Sequence, residues 1–181
     1  MTSTEPFVYP TTAPALQSHL VGAWALQSYI SVAEPPSTAR PIYPMTKHTQ
    51  GIIMYTPDGY MSAQISIPGQ QKFEPATATE SDWAECGKRY FAYSGPFFVT
   101  EEGGKVKLRH NMRIGNRPTM VGQVQLRAWR FEDDGKLLVL SSEEAKEVQG
   151  EMRRPELRWR KLEDNSASFP LAVDAKVGIY S

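Results

Sequence analysis

The chain has 181 residues, of which 40 % are hydrophobic and 22 % charged, a composition typical of one globular domain and not of a disordered or membrane-spanning protein. Twenty basic and twenty acidic residues give no net charge, so the sequence lacks the positive charge that a dedicated nucleic-acid binder carries. The single cysteine, Cys86, excludes an internal disulfide framework. With no secretory signal and no long apolar run, we expect a cytoplasmic protein that binds neither nucleic acid nor membrane.

The chain begins with a segment rich in Pro and Thr, and we interpret residues 1–19 as an arm before a barrel domain at 20–181. Short apolar or alternating runs then recur between turn signals, which is typical of antiparallel all-β domains. The predicted strands span residues 21–30, 51–55, 60–67, 95–100, 105–114, 121–131, 137–142 and 157–161.

Turn motifs join several of these strands as hairpins. Thr56-Pro57-Asp58-Gly59 combines a proline that presets one dihedral angle with a glycine that supplies a positive one. Gly103-Gly104 and Asp134-Gly135 mark two further turns. About eight antiparallel strands are the number that closes into a barrel able to hold one small ligand.

One stretch, residues 79–94, departs from the strand pattern. Trp83, Tyr90 and Phe91 have the spacing of one helical face, and the acidic residues near its start favour a helix N-terminus. The pattern predicts a single helix that caps one end of the barrel.

Three segments resemble the lipocalin-like domain family of bacteria and fungi. They are LVGAW at 20–24, GIIMYTPDGYMSAQ at 51–64 and YFAYSG at 90–95. The resemblance runs from about Leu20 to Glu163 and is most specific in YTPDGYMSA. It implies a calycin-type barrel with an interior cavity, and some fungal lipocalin-like barrels guide cyclisation or isomerisation in natural-product pathways.

Gly22-Ala23-Trp24 is also similar to the Gly-x-Trp signature of calycin barrels, in which the Trp closes the barrel floor beneath an Arg of the last strand. The resemblance implies Arg158 or Arg160 as that partner. The sequence departs most from the family between His110 and Val121.

The sequence contains no Gly-x-Gly-x-x-Gly, phosphate-loop, Gly-x-Ser-x-Gly or His-Glu-x-x-His motif. Three histidines without a spacing pattern do not indicate a metal site. We therefore predict neither a cofactor nor a metal.

His110 is the first candidate catalytic residue. Alternation places it on the apolar face of its strand with Leu108 and Met112. An imidazole in such a place is suited to proton transfer. The alternative, which is the commoner case, is a core histidine that is hydrogen-bonded to a neighbour.

Arg127 is the second candidate. It shares a strand face with Gln125 and Trp129, which lines the cavity or faces solvent. In the cavity, Arg127 could clamp a carboxylate or enolate oxygen. Tyr55 is the third, because a phenol in an apolar pocket can act as an acid or donate to an oxyanion.

Further residues are candidates for contact with the substrate. The polar face of the strand at 60–67 either lines a wet lumen or faces solvent. The predicted substrate-binding residues are Trp24, Tyr60, Ser62, Gln64, Tyr93, Phe97, Met112, Gln125 and Trp129.

The leading hypothesis is a cofactor-independent isomerase or cyclase of small-molecule biosynthesis that acts on an apolar, conjugated substrate inside the barrel. The alternative is a lipocalin-like protein that binds a small apolar ligand without chemistry. A partner-binding adaptor that uses the arm ranks last. The sequence leaves the oligomeric state open, including a homodimer.

Overall fold

Alternating apolar and polar residues form a closed antiparallel β-barrel in the computed structural model, which describes residues 6–165. Within that range the strands are β1 Gly22–Ala33, β2 Gln50–Tyr55, β3 Tyr60–Ser66, β4 Tyr90–Glu102, β5 Lys105–Asn111, β6 Ile114–Gly115, β7 Val124–Glu132, β8 Leu137–Ser142, β9 Lys146–Val148 and β10 Glu151–Lys161. Two α-helices, α1 Ala13–Leu20 and α2 Glu80–Lys88, and a 3-10 turn at Pro118–Met120 complete these residues.

Eight strands follow one another around the barrel in the order β1-β2-β3-β4-β5-β7-β8-β10, and pairing of β1 with β10 closes it. The predicted all-β barrel of about eight strands is therefore confirmed. The short strands β6 and β9 pair with β4 and β10 outside this circuit.

The predicted hairpin turns adopt the backbone conformations that their residues favour. Gly59, Gly103 and Gly104 have positive φ, and so do Asp133 and Asp134 ahead of Gly135. Because each turn joins adjacent antiparallel strands, these sequence signals fix much of the strand order.

The apolar residues that alternate along each strand point into the barrel interior. Met61, Ala63 and Ile65 of β3 are almost fully buried, whereas Tyr60 and Gln64 lie on the outer face. The polar face of this strand is thus the solvent face, the alternative in which a normal core lies behind a wet surface.

The predicted helix at 79–94 is shorter in the structure. Thr79 caps α2 in a reciprocal capping box with Asp82, and the helix ends at Lys88. Tyr90 and Phe91 belong to β4 and pair with Ser66 and Ile65 of β3. The helical interpretation of these two aromatic residues was wrong, because pairing with β3 outweighs the local spacing.

The floor of the barrel is covered by the N-terminal segment 6–20, whose helix α1 buries Leu16 and Leu20 completely. In contrast, no side chain of α2 is buried. Thr12 caps α1, and Pro14 lies in its first turn. These two residues were the sequence signal for this helix within the arm.

Trp24 lies above α1, fully buried, and its indole Nε1 donates a hydrogen bond of 2.9 Å to the carbonyl oxygen of Leu20. The cation over its ring is Lys161, with Nζ 4.3 Å from the ring centroid. The expectation of Arg158 or Arg160 was wrong. Both arginines instead pair with acidic residues, Arg158 with Glu132 and Arg160 with Asp133.

Candidate functional site

The barrel encloses a cavity of about 510 Å³ that lies toward the end opposite α1. This volume is in the range that holds a small organic molecule. Most of the inner wall is apolar and comes from the inward faces of β2, β3, β8 and β10. Its apolar residues include Ile53, Ala63, Ile65, Leu140, Leu157 and Trp159.

Polar side chains on the inner wall come mainly from β4 and β7. The inward face of β7 carries Gln125, Arg127, Trp129 and Phe131 in order from the mouth to the floor. Gln125 and Arg127 line the cavity, whereas Phe131 packs against Trp24 at the floor. The charged residues Arg117, Glu143, Glu144 and Lys146 surround the mouth and are exposed.

A chain of hydrogen bonds leads from this cavity into the core. The Nη2 of Arg127 donates to the hydroxyl oxygen of Tyr93 over 3.2 Å. That oxygen lies 3.3 Å from Nδ1 of His110, and Nε2 of His110 lies 2.9 Å from the hydroxyl oxygen of Tyr55. Four side chains from β2, β4, β5 and β7 thus form one connected network.

His110 is neutral in this network. Burial, reinforced by the nearby positive charge of Arg127, holds the pKa of His110 well below its usual value of 6.5. Burial also raises the pKa of Tyr55 well above 10. The neutral imidazole has one N–H donor and one acceptor nitrogen, so one tyrosine donates to it and the other accepts from it.

Proton accounting assigns the direction of these bonds. Tyr55 is 2 % exposed, and its hydroxyl has only His110 as a hydrogen-bond partner within residues 6–165. A buried O–H without an acceptor is costly, so Tyr55 donates to Nε2 of His110. Nδ1–H of His110 then donates to the oxygen of Tyr93.

The oxygen of Tyr93 consequently accepts two hydrogen bonds, from His110 and from Arg127. Its own O–H finds no acceptor within residues 6–165, and Tyr93 lines the cavity. Cooperativity along such a chain polarises the last O–H bond. The network therefore presents a hydrogen-bond donor to whatever occupies the cavity.

Two further donors on the cavity wall are unpaired. The Nε of Arg127 and the indole Nε1 of Trp159 are both buried, and neither has a hydrogen-bond partner in the described part of the chain. Arg127 also forms no ion pair with a carboxylate of residues 6–165. The residues around the cavity thus include two buried donors that no group of residues 6–165 satisfies.

The structure brings together some of the residues expected at the site and separates others. Arg127, Tyr93 and Gln125 line the cavity. His110 and Tyr55, expected to be catalytic, are fully buried behind Tyr93 and do not line it.

The other expected substrate-binding residues lie elsewhere. On the outer face of β3 lie Tyr60, Ser62 and Gln64. In the core or at the floor lie Trp24, Phe97 and Met112. The ring of Trp129 is covered by the stacked ring of Tyr9 from the arm, with 5.6 Å between the ring centroids. Inward residues near the floor cannot reach a ligand, because the arm fills that end.

Several lining residues were missed by sequence reasoning. Trp159 and Leu157 alternate along β10 with the outward Arg158, a signal that alternation could have supplied. Arg117 and Met120 come from the irregular segment between β6 and β7, where no periodicity indicates direction.

A closed antiparallel barrel of eight strands around a ligand-sized cavity defines the class of small-molecule-binding barrels. The chain belongs to the lipocalin-like domain family, whose family model matches residues 21–162. This match confirms the resemblance seen in the sequence. The comparison with curated proteins gave no match. Across residues 6–165, no helix has both the length and the apolar character needed to cross a membrane.

Proposed function

We propose that this barrel is a cofactor-independent isomerase or cyclase of small-molecule biosynthesis, acting on an apolar, conjugated substrate enclosed in the cavity. The observation that carries the proposal is the hydrogen-bonded chain Arg127–Tyr93–His110–Tyr55, in which the O–H of Tyr93 at the cavity has no acceptor in residues 6–165. Residues that only maintain a fold do not need such a donor at a ligand-sized cavity.

In this proposal Tyr93 is the catalytic acid. Its O–H donates to an oxygen of the substrate, and a proton that it gives up returns when the rearranged product re-forms its carbonyl or loses a proton. The reaction is therefore mass-neutral and consumes no co-reactant. Arg127 and His110 hold the phenol oxygen from two sides, so that negative charge developing there is stabilised without reorganisation.

His110 and Tyr55 act through Tyr93 in this scheme, since both are buried behind it. His110 is a positioning residue that fixes the phenol by its Nδ1–H, and Tyr55 fixes the tautomer of His110. The apolar wall contributes by holding a flexible substrate close to its reactive conformation.

The alternative function is binding without chemistry. It is favoured by the predominance of apolar residues on the inner wall and by the lack of contact between His110 and the cavity. In this case Tyr93 and Arg127 orient a ligand that leaves unchanged.

The experiment compares wild-type protein, Tyr93→Phe and Tyr90→Phe. Tyr90 is a matched control on the same strand, because its hydroxyl donates to Gln64 on the outer face. Each protein is incubated with a metabolite extract of the source organism, and conversions without a change of mass are followed by chromatography coupled to mass spectrometry. Loss of a general acid lowers the rate by about a hundredfold or more.

We expect a rearranged product with wild-type protein and Tyr90→Phe, and loss of at least about 99 % of its formation rate with Tyr93→Phe. A compound that is retained but never rearranged would establish the binding alternative. Equal turnover by Tyr93→Phe and wild-type protein would overturn the assignment of Tyr93.

A further inference from the structure

The guanidinium of Arg127 carries a positive charge on the wall of a largely apolar cavity without a carboxylate beside it. Its hydrogen bond goes to a neutral phenol, Tyr93, and its Nε has no partner in residues 6–165. A buried charge of this kind is costly unless an opposite charge and hydrogen-bond acceptors accompany it.

Several other arginines have carboxylate partners that Arg127 lacks, and the buried Arg153, which has none in residues 6–165, donates instead to the carbonyl oxygens of Ser31 and Arg40. Arg158 contacts the carboxylates of Glu132 and Glu156, and Arg109 forms two bonds with Glu102. Acidic residues do occur at the cavity mouth, but Glu143 is paired with Lys107 and is exposed. Arg127 thus lines the cavity without an anionic partner in residues 6–165.

Trp159 supplies an independent observation. It is 1 % exposed, it lines the same cavity, and its Nε1 has no acceptor in the described residues. A buried indole N–H usually finds an acceptor. The strands β7 and β10 therefore each contribute one unpaired buried donor to the side chains around the cavity.

We infer that the ligand of this cavity is an organic acid, with one carboxylate that pairs with Arg127 and an apolar, conjugated body that fills the space between β2, β3 and β8. Trp159 donates to an oxygen of the same molecule. Guanidinium and carboxylate are matched in geometry and charge, which distinguishes an acid from a neutral ester or alcohol of equal shape. The inference rests on the proposed use of the cavity as a small-molecule site, and it does not depend on turnover there.

The test uses cis-parinaric acid and its methyl ester as probes, because both are conjugated and both can be followed by fluorescence. Affinities are measured for wild-type protein, Arg127→Met and Arg113→Met. Arg113 is a matched control: it is exposed, and it does not line the cavity. Its loss changes the net charge of the protein as much as the loss of Arg127.

We expect wild-type protein and Arg113→Met to bind the acid at least about tenfold more tightly than the ester, as a charge-assisted hydrogen bond predicts. Arg127→Met should bind both probes with similar affinity, close to that of the ester for wild-type protein. Retained ester binding also shows that the Arg127→Met variant is folded. Trp159→Phe, which keeps the aromatic ring, should weaken binding of the acid about two- to tenfold.

Equal affinity of wild-type protein for acid and ester would overturn this inference and leave the catalytic role of Tyr93 standing. A preference for the acid that survives in Arg127→Met would also overturn it. Failure of both probes to bind would overturn the inference together with the small-molecule site. Tight acid binding without any conversion in the metabolite extract would instead count against turnover alone.

Discussion

At the floor of the barrel Trp24 donates to the carbonyl of Leu20, and Lys161 donates to the carbonyls of His19 and Val21 at the end of α1. In the cavity, Arg127 and Trp159 each keep a buried N–H without an acceptor in residues 6–165. Both regions lie in one barrel with the same strand pairing. These polar groups of the floor are paired within the protein, whereas the two donors beside the cavity have no acceptor in residues 6–165.

This difference separates stability from function along the barrel axis. Polar groups that are paired within the protein contribute to folding, and polar groups that remain unpaired reduce stability until a ligand binds. Such concentration of unfavourable features is common where a protein binds or transforms a molecule. Substitutions at three places test this difference: at the floor, in the cavity wall, and at the histidine between them.

The substitution Trp24→Ala tests the floor. Trp24 is fully buried, and the substitution removes its ring, its bond to Leu20 and the surface on which Lys161 lies. We expect a loss of about 3–5 kcal/mol in the free energy of unfolding, as for other buried aromatic residues replaced by alanine. Urea denaturation measures it.

Trp83→Ala is the matched control for this prediction. Trp83 lies on α2 and is 52 % exposed, so its replacement should change stability by less than about 0.5 kcal/mol. Similar losses in the two variants would contradict the assignment of the floor as the structural end of the barrel.

His110 lies between the floor and the cavity, and it predicts how stability changes with pH. Because its pKa is lowered in the folded state by burial and by Arg127, the unfolded chain binds more protons below the ordinary value of 6.5. Stability is therefore constant above that pH and falls as the pH decreases below it, by at most about 1.4 kcal/mol per pH unit for one group. The measurement is the urea-unfolding free energy between about pH 5 and 8.

His110→Gln should remove this slope, whereas His48→Gln should keep it, since His48 lies exposed in a loop. The carboxylates with lowered pKa values, such as Glu102 at about 2, affect stability only near and below their unfolded pKa of 4.5. They still add a small slope near pH 5, but wild-type protein and His110→Gln share it, so the difference between the two proteins reports His110 alone. A slope that persists unchanged in His110→Gln would show that another group titrates.

Much of the fold follows from local sequence signals. Gly59 and Gly104 mark hairpins because turns need positive φ there, and strict alternation in β3 separates its apolar face from its polar face. The extent of α2 does not follow, because Tyr90 and Phe91 have helical spacing and enter a strand only through pairing with β3. Helix α1 carries a local signal in Thr12 and Pro14, but its place beneath the barrel depends on tertiary packing.

The site follows from the sequence only in part. Alternation puts His110 inside but leaves the direction of Arg127 open, and it does not show that Tyr93 lies between them or that Tyr55 is on the far side of His110 from the cavity. The depth of a side chain along the barrel axis depends on the stagger of the strands. Whether it can reach a ligand also depends on which end of the barrel is filled by other residues. The arm fills the floor, and this removes Trp129 from the ligand space.

Arg127→Met tests the cavity side of the comparison, and its effect on stability should be small and positive. The substitution removes one hydrogen bond from a charged donor to Tyr93, worth roughly 1.5–3 kcal/mol, and also an unsatisfied buried N–H of the same charged group, which costs roughly 3 kcal/mol or more. The difference favours the variant by roughly 0–1.5 kcal/mol in the absence of ligand. Arg158→Met should have the opposite sign, because Arg158 is paired with Glu132 and Glu156.

Thermal unfolding of both variants without ligand checks the signs. A variant that gains stability while it loses the preference for an organic acid would show that Arg127 destabilises the folded protein and strengthens ligand binding. Such opposite effects on stability and function are common at functional sites. Loss of stability in Arg127→Met equal to that in Arg158→Met would mean that Arg127 is a structural residue. In that case the polar groups of the cavity wall stabilise the fold as those of the floor do, and the unpaired donors of Arg127 and Trp159 are no sign of a ligand.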